Sequence, residues 1–242
     1  MSRLICANDC SHGWLEAIGH LLECKGDCFN LVVEIGNPTT EHTGIRQLLD
    51  QFLETIGKKP IEEVANTIFP QSLYFPSMGR KCLYQNYETA WPLIRLFHAN
   101  KSGTYFYRMI HWGDSDKLLN QLDNVIYKLE KTKSSSLKYR NIYEVSIYRP
   151  ENDRKNRMGF PCLSHLSFKL DNGQLHLTAI YRNQFFIERA YGNLVGLGRL
   201  MDFAAKESGI KIGMLTCIAT HAQIDYSRRA VSNLFNSCMK LV

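Results

Sequence analysis

Residues 159–193, GFPCLSHLSFKLDNGQLHLTAIYRNQFFIERAYGN, hold the pattern that decides how the chain folds. Asp171-Asn172-Gly173 joins residues that tolerate the positive φ of tight hairpin turns, and strand-like runs flank it on both sides. The stretch is therefore a β-hairpin with Cys162 at its entrance and Arg182 at its exit. A three-residue loop pairs Leu170 with Gln174 and, counted outward, Cys162 with Arg182, their Cβ atoms about 5 Å apart on one face. A two-residue loop slips the register by one and leaves the two as diagonal neighbours on opposite faces. A guanidinium beside a thiol lowers the thiol pKa and favours a nucleophile.

Working outward from the hairpin, Asn193 to Ser208 repeats apolar residues at helical spacing through Leu194, Leu197, Leu200, Met201, Phe203 and Ala204, and Gly209 stops it. A strand over 212–224 follows, then a short closing helix that starts near Tyr226. Upstream, Tyr139 to Tyr148 alternates as a strand, 115–131 has helical spacing, and Gly103 to Trp112 is aromatic enough for a strand. Residues 66–92 show no clear period and are expected to be ordered loop and short turns. Gly44 to Ile56 is an amphipathic helix closed by Gly57, Phe29 to Ile35 is a strand, and WLEAIGHLLE before it is helical. Without a repeat or a linker, residues 1–242 are expected to form a single domain.

Composition narrows the function classes. The chain of 242 residues carries a net charge of +6, but its basic residues interleave with acidic ones, as in RPENDRKNR at 149–157. Nucleic acid selects for a clustered basic patch; scattered arginines suit a phosphorylated small molecule. No stretch approaches the 18 apolar residues of a membrane span, and no secretory signal opens the sequence. The eight cysteines are then expected as reduced thiols in the cytoplasm. Cys6-x3-Cys10 and Cys24-x3-Cys28 leave a zinc site open, although the spacing is looser than a zinc knuckle and Cys24 also fits as a buried helix residue.

Pro161-Cys162, the hairpin, Tyr181-Arg182-Asn183, Asn193 opening a long apolar helix, and a later strand with Thr220-His221 together resemble thymidylate synthase and its relatives. The resemblance is best over 103–225, and residues 1–100 are divergent. It implies an α+β fold in which a mixed β-sheet packs against helices, a homodimer joined through its sheets, and a pyrimidine nucleoside monophosphate as partner. It implies Cys162 as the nucleophile that adds to C6 of the ring, so that C5 can attack a one-carbon donor and become methylated or hydroxymethylated. Arg182 corresponds to the arginine on the nucleotide phosphate, and Asn193 to the asparagine that reads the pyrimidine edge, though a helix N-cap explains the same Asn. His221 falls near the ribose hydroxyl. Arg140 sits near the paired arginines that reach the partner's phosphate, and Asp50 aligns with a helix carboxylate that organises proton-relay water as a general acid/base.

The departures fall on the second substrate. Asn183 and Phe185 stand where the family has a serine and a folate-binding aspartate. Arg189-Ala190-Tyr191-Gly192 replaces a Gly-Leu-Pro-Phe run, and Gln223 replaces a tyrosine. The stretch after Asp225 is shorter than the family's folate-closing tail. The resemblance thus implies a usable nucleotide half and puts methylenetetrahydrofolate in doubt, with a catalytically silent nucleotide-binding or scaffold protein as the other outcome.

Overall fold

The computed structural model describes residues 2–113, 118–133, 139, 141–154 and 161–242. Among them lies one mixed sheet of seven strands: β1 (Arg3–Ala7), β2 (Asp27–Ile35), β3 (Glu144–Ser146), β4 (Leu163–Asp171), β5 (Gln174–Tyr181), β6 (Gln184–Phe185) and β7 (Lys211–Gln223). The order is β1-β2-β7-β5-β4-β3, with β6 paired to β7. Helices α1 (Cys10–Glu23), α2 (Thr43–Thr55), α3 (Ile61–Ile68), α4 (Gly79–Ile94), α5 (Tyr105–Ile110), α6 (Gln121–Lys133), α7 (Pro150–Asp153), α8 (Tyr191–Ser208) and α9 (Arg228–Cys238) complete the described chain. The fold is α+β, as the resemblance implies.

Alternation along the strands separates two faces. Leu31, Val33, Leu166, Phe168, Leu177, Ala179, Leu215 and Cys217 point into the core. The intervening Val32, Ile180 and Ile218, aligned across three strands, are only half-buried. α8 is the central core helix: Leu197, Leu200, Met201, Phe203 and Ala204 are fully buried. It lies so close to the connection after β2 that a Cβ on Gly198 would stand 1.9 Å from the Pro38 carbonyl oxygen. That position admits no side chain.

Several elements differ from the sequence expectation. Residues 105–110 are helix, not strand. Thr104 caps α5 by accepting the Tyr107 N–H at 3.1 Å, and Phe106, Met109 and Ile110 share one buried face at helical spacing. The stretch 66–92 contains the end of α3 and most of α4. Within 139–148 the strand is confined to Glu144–Ser146, the helix expected over 115–131 runs from Gln121 to Lys133, and the basic loop after Arg149 starts as the short α7. The strand β1 had no counterpart in the sequence reading.

The hairpin turn has two residues, Asn172 and Gly173, with φ of 47° and 76°. Asp171 accordingly pairs with Gln174 and Leu170 with Leu175. Taken alone, this register would leave Cys162 and Arg182 diagonal. A bulge between Leu163 and His165 inserts one extra residue on β4, and beyond it Leu163 pairs with Tyr181. The Arg182 N–H then donates to the Cys162 carbonyl at 3.0 Å. The two residues face each other, through a bulge and not through a longer turn.

Candidate active site

Cys162 lies immediately before β4 and Arg182 immediately after β5. The guanidinium is 3.9 Å from the thiol through Nη2, and its Nε donates to the Pro161 carbonyl at 3.4 Å. Thr220 fixes the same turn by donating its hydroxyl to the Arg182 carbonyl at 2.8 Å. Burial nevertheless raises the Cys162 pKa above the ordinary thiol value of 9.0, outweighing the opposing pull of Arg182 and Arg189. The activation expected from the sequence is thus reversed. Desolvation wins.

The thiol opens onto a cavity of about 530 Å³ whose walls include His98, Lys101, Tyr105, Asn183, Arg189 and Asn193. Tyr105 comes from α5, and burial pushes its hydroxyl up to about 12. Arg189 and Asn193 arrive through an unusual helix entry. Residues 186–190 form a π-turn that runs directly into α8, so Asn193 is a buried residue inside the helix and not its N-cap. Asp225 holds this turn by accepting the Ile187 N–H at 2.8 Å and the Glu188 N–H at 3.1 Å. Neither the Arg189 guanidinium nor the Asn193 amide has a side-chain hydrogen-bond or ion-pair partner among the described residues. Both groups are open to a ligand.

Other candidates are already engaged. His221 donates through Nδ1 to Asn183 Oδ1 at 2.7 Å, lies 3.6 Å from Asp27 Oδ2 through Nε2, and packs against the Phe29 ring. Gln223 donates to the same Asn183 oxygen at 3.1 Å. Asn183 therefore reaches the cavity wall tied to His221, which does not line it. Asp50 does not line it either. Its carboxylate accepts the Ile61 N–H at 2.9 Å, capping α3 where Pro60 offers no side-chain cap, and stands 3.8 Å from Arg46 Nε. The proton-relay role expected for Asp50 is not supported by this placement. Arg140 lies outside the described residues.

No group of three or more His, Cys, Asp or Glu among the described residues could hold a metal ion. The cysteines of the zinc alternative have other neighbours. The Cys10 thiol is buried against the Pro38 carbonyl and Cys24 leans on His20, while Cys6 is exposed and faces Glu34. Among the described residues, no helix is long and apolar enough to cross a membrane.

The sequence reading passed over Arg189 as a mere departure, and it passed over Tyr105, Lys101 and His98. A spacing of four between Arg189 and Asn193 was the available signal, since it places both on one face if the helix entry starts before Asn193. Nothing in the sequence pointed to the wall at 98–105.

An α+β sheet that ends in a cysteine opposed by an arginine, with an asparagine from the long core helix beside them, defines a thymidylate-synthase-like protein. No family model matches the chain. Curated archaeal proteins do. One from Methanocaldococcus jannaschii, named "Putative thymidylate synthase", is 29% identical over 217 residues, 87% of this chain and 81% of that protein. Proteins of the same name from Methanosarcina barkeri and Methanosarcina acetivorans are 31% and 29% identical, over 61% of this chain in each case and 70% and 69% of theirs. The chain belongs to this thymidylate-synthase-like family, as a divergent member.

Proposed function

We propose that the chain binds a pyrimidine nucleoside monophosphate in the Cys162 cavity and modifies its C5 through a covalent adduct. The observation that carries this reading is the convergence of three groups on one cavity: a thiol, an unpartnered guanidinium and an unpartnered amide. An Asn amide offers one donor and one acceptor, which complements the N3–H and O4 edge of a uracil-type ring. Arg189 supplies a fork for the phosphate, with Arg182 behind it. The thiolate adds across C5=C6, forming a bond to C6, and the electron pair passes to C5 and O4. C5 then attacks the electrophilic carbon of a one-carbon donor, whose leaving group departs with the electron pair of the broken bond; a base takes the C5 proton, and that pair re-forms C5=C6 as the thiolate leaves C6. Binding of the dianionic nucleotide alone does not favour the thiolate, so the thiol proton must be taken by a nearby base. His98 lines the cavity and is assigned that role here.

None of the described lining residues is Asp or Glu. A pterin donor held by a carboxylate therefore does not fit this cavity. Phe185, where the family has that aspartate, lines the wall with its ring, and Asn183 has its side-chain oxygen committed to His221 and Gln223. The one-carbon donor in this reading is held by other contacts than methylenetetrahydrofolate in the family. A cytoplasmic homodimer joined through the open sheet face belongs to the same proposal. Val32, Ile180 and Ile218 are half-buried there, and Met214 is 41% exposed.

Fluorine at C5 replaces the proton that must leave after one-carbon transfer, so 5-fluoro-dUMP with a competent one-carbon donor should leave a stable adduct on the intact protein, of nucleotide plus transferred group, with the label on the Cys162 peptide. Absence of that adduct, with and without methylenetetrahydrofolate, overturns the covalent mechanism. The raised thiol pKa and the lack of a lining carboxylate favour a second reading, a nucleotide-binding protein without turnover. It requires that dUMP still bind to Cys162→Ser and that the unaltered chain form no product.

A further inference from the structure

On the far side of the Lys101–Gly103 segment lies a second cavity, of about 640 Å³. Lys101, Ser102 and Gly103 line both spaces and form their common wall. Among the described residues, four basic side chains, Arg95, Lys101, Arg108 and Arg149, face this cavity against one carboxylate, Asp153. That carboxylate is already spent. Asp153 accepts from Arg108 at 2.6 and 2.9 Å in a pair only 2% and 5% exposed, and it also accepts the Arg149 N–H at 2.8 Å. Arg108 donates in addition to the Ser102 carbonyl at 2.9 and 2.8 Å, which clamps the common wall.

Among the described residues, no carboxylate forms an ion pair with the side chains of the other three cations. Arg95 and Lys101 have no side-chain hydrogen-bond or ion-pair partner among the described residues. Arg149 reaches the His111 carbonyl and stacks its guanidinium 4.9 Å above the Trp112 ring, but its Nε is a buried N–H with no acceptor. Burial and the neighbouring Arg108 both depress its pKa. Gathering like charges around an empty space costs energy unless an anion offsets them, and a buried donor left without an acceptor adds to that cost. The aromatic groups do not offer a stacking face: Trp91 lies between Tyr87 and Tyr107, with centroids 6.0 and 4.0 Å away. The cavity therefore selects for charge, not for a ring.

We propose that this second cavity is a binding site for a small polyanion rich in phosphate or carboxylate oxygens, separate from the nucleotide site at Cys162 and coupled to it through the Lys101–Gly103 wall. The two oxyanion sources are distinguished by probe. Titration of the full chain with inorganic pyrophosphate, and separately with citrate, is followed by tryptophan fluorescence. Trp91 and Trp112 adjoin the cavity, whereas Trp14 is buried in the core. Saturable quenching or enhancement that weakens steeply with added salt is expected for at least one probe. The tighter of the two identifies the oxyanion type. Arg95→Gln with Arg149→Gln should weaken that binding about tenfold or more, while a matching circular-dichroism spectrum and 5-fluoro-dUMP adduct formation show that the fold and the Cys162 site persist. Arg95→Gln alone, at the surface end of α4, gives a variant that spares the buried cluster and should still weaken binding. No saturable response to either probe, or equal affinity in the folded variants, overturns the proposal. An equal loss in Arg189→Gln would assign the probe to the Cys162 cavity and overturn it as well.

Discussion

Residues 161–183 and 184–193 meet at the same cavity, yet they handle their polar groups in opposite ways. In the first segment nearly every candidate is bound to a protein partner: Arg182 to Pro161 and the thiol, Asn183 to His221 and Gln223, and the turn itself to Thr220. In the second, Arg189 and Asn193 line the cavity with no side-chain hydrogen-bond or ion-pair partner among the described residues. The first segment shapes the site and the second leaves valences for a ligand. A family resemblance weights the first and, apart from Asn193, discounts the second, because residues 184–192 are where the motif is lost.

The sharpest way to break this contrast is at the thiol, which belongs to the shaping segment but performs the chemistry. Cys162→Ser should abolish the 5-fluoro-dUMP adduct in intact mass while retaining dUMP binding by calorimetry. Next in size, Arg189→Ala should weaken dUMP about tenfold or more, the loss of a charge-assisted contact to phosphate. If Arg182→Ala costs more affinity than Arg189→Ala, the division of labour between the segments is wrong. The principal effect of Arg182→Ala should instead appear in reactivity. Because burial raises the Cys162 pKa above 9.0 and Arg182 is the largest opposing influence, its loss raises the pKa further. The rate of iodoacetamide alkylation at Cys162 should rise with pH through the alkaline range, and in Arg182→Ala that rise should move to higher pH. A profile that moves to lower pH would contradict the sign. Smallest of all, Asp50→Ala should cost about 1 kcal/mol in urea unfolding, as expected for a lost helix cap, with adduct formation unchanged. A loss of adduct would restore Asp50 to the chemistry.

What the sequence made legible follows from how local each signal is. The hairpin, α8 and β7 carry long, clean periods, and they emerged where the pattern put them. The helix α5 did not, since aromatic side chains favour strands on average while the Thr104 cap and the spacing of Phe106, Met109 and Ile110 decide the matter here. The hydrogen bond of Asp50 was not legible, because the acceptor it supplies serves a helix start eleven residues later, at Ile61. Arg189 was discounted because a π-turn, which shifts a helix entry without a compositional mark, carries it to the cavity.

The bulge between Leu163 and His165 has an evolutionary reading. Side chains alternate along a strand, so the number of residues between the turn and the thiol is an even-or-odd choice, and one extra residue inverts it. Leu163 and Leu166 both face the core, three positions apart instead of two. Deleting Ser164 would therefore make β4 regular while leaving Leu163 core-facing and Cys162 opposite Arg182, so the thiol keeps its face. Insertions in adjoining loops leave that parity alone. A lineage could lose the bulge by a single codon deletion at Ser164 and keep its nucleophile in place.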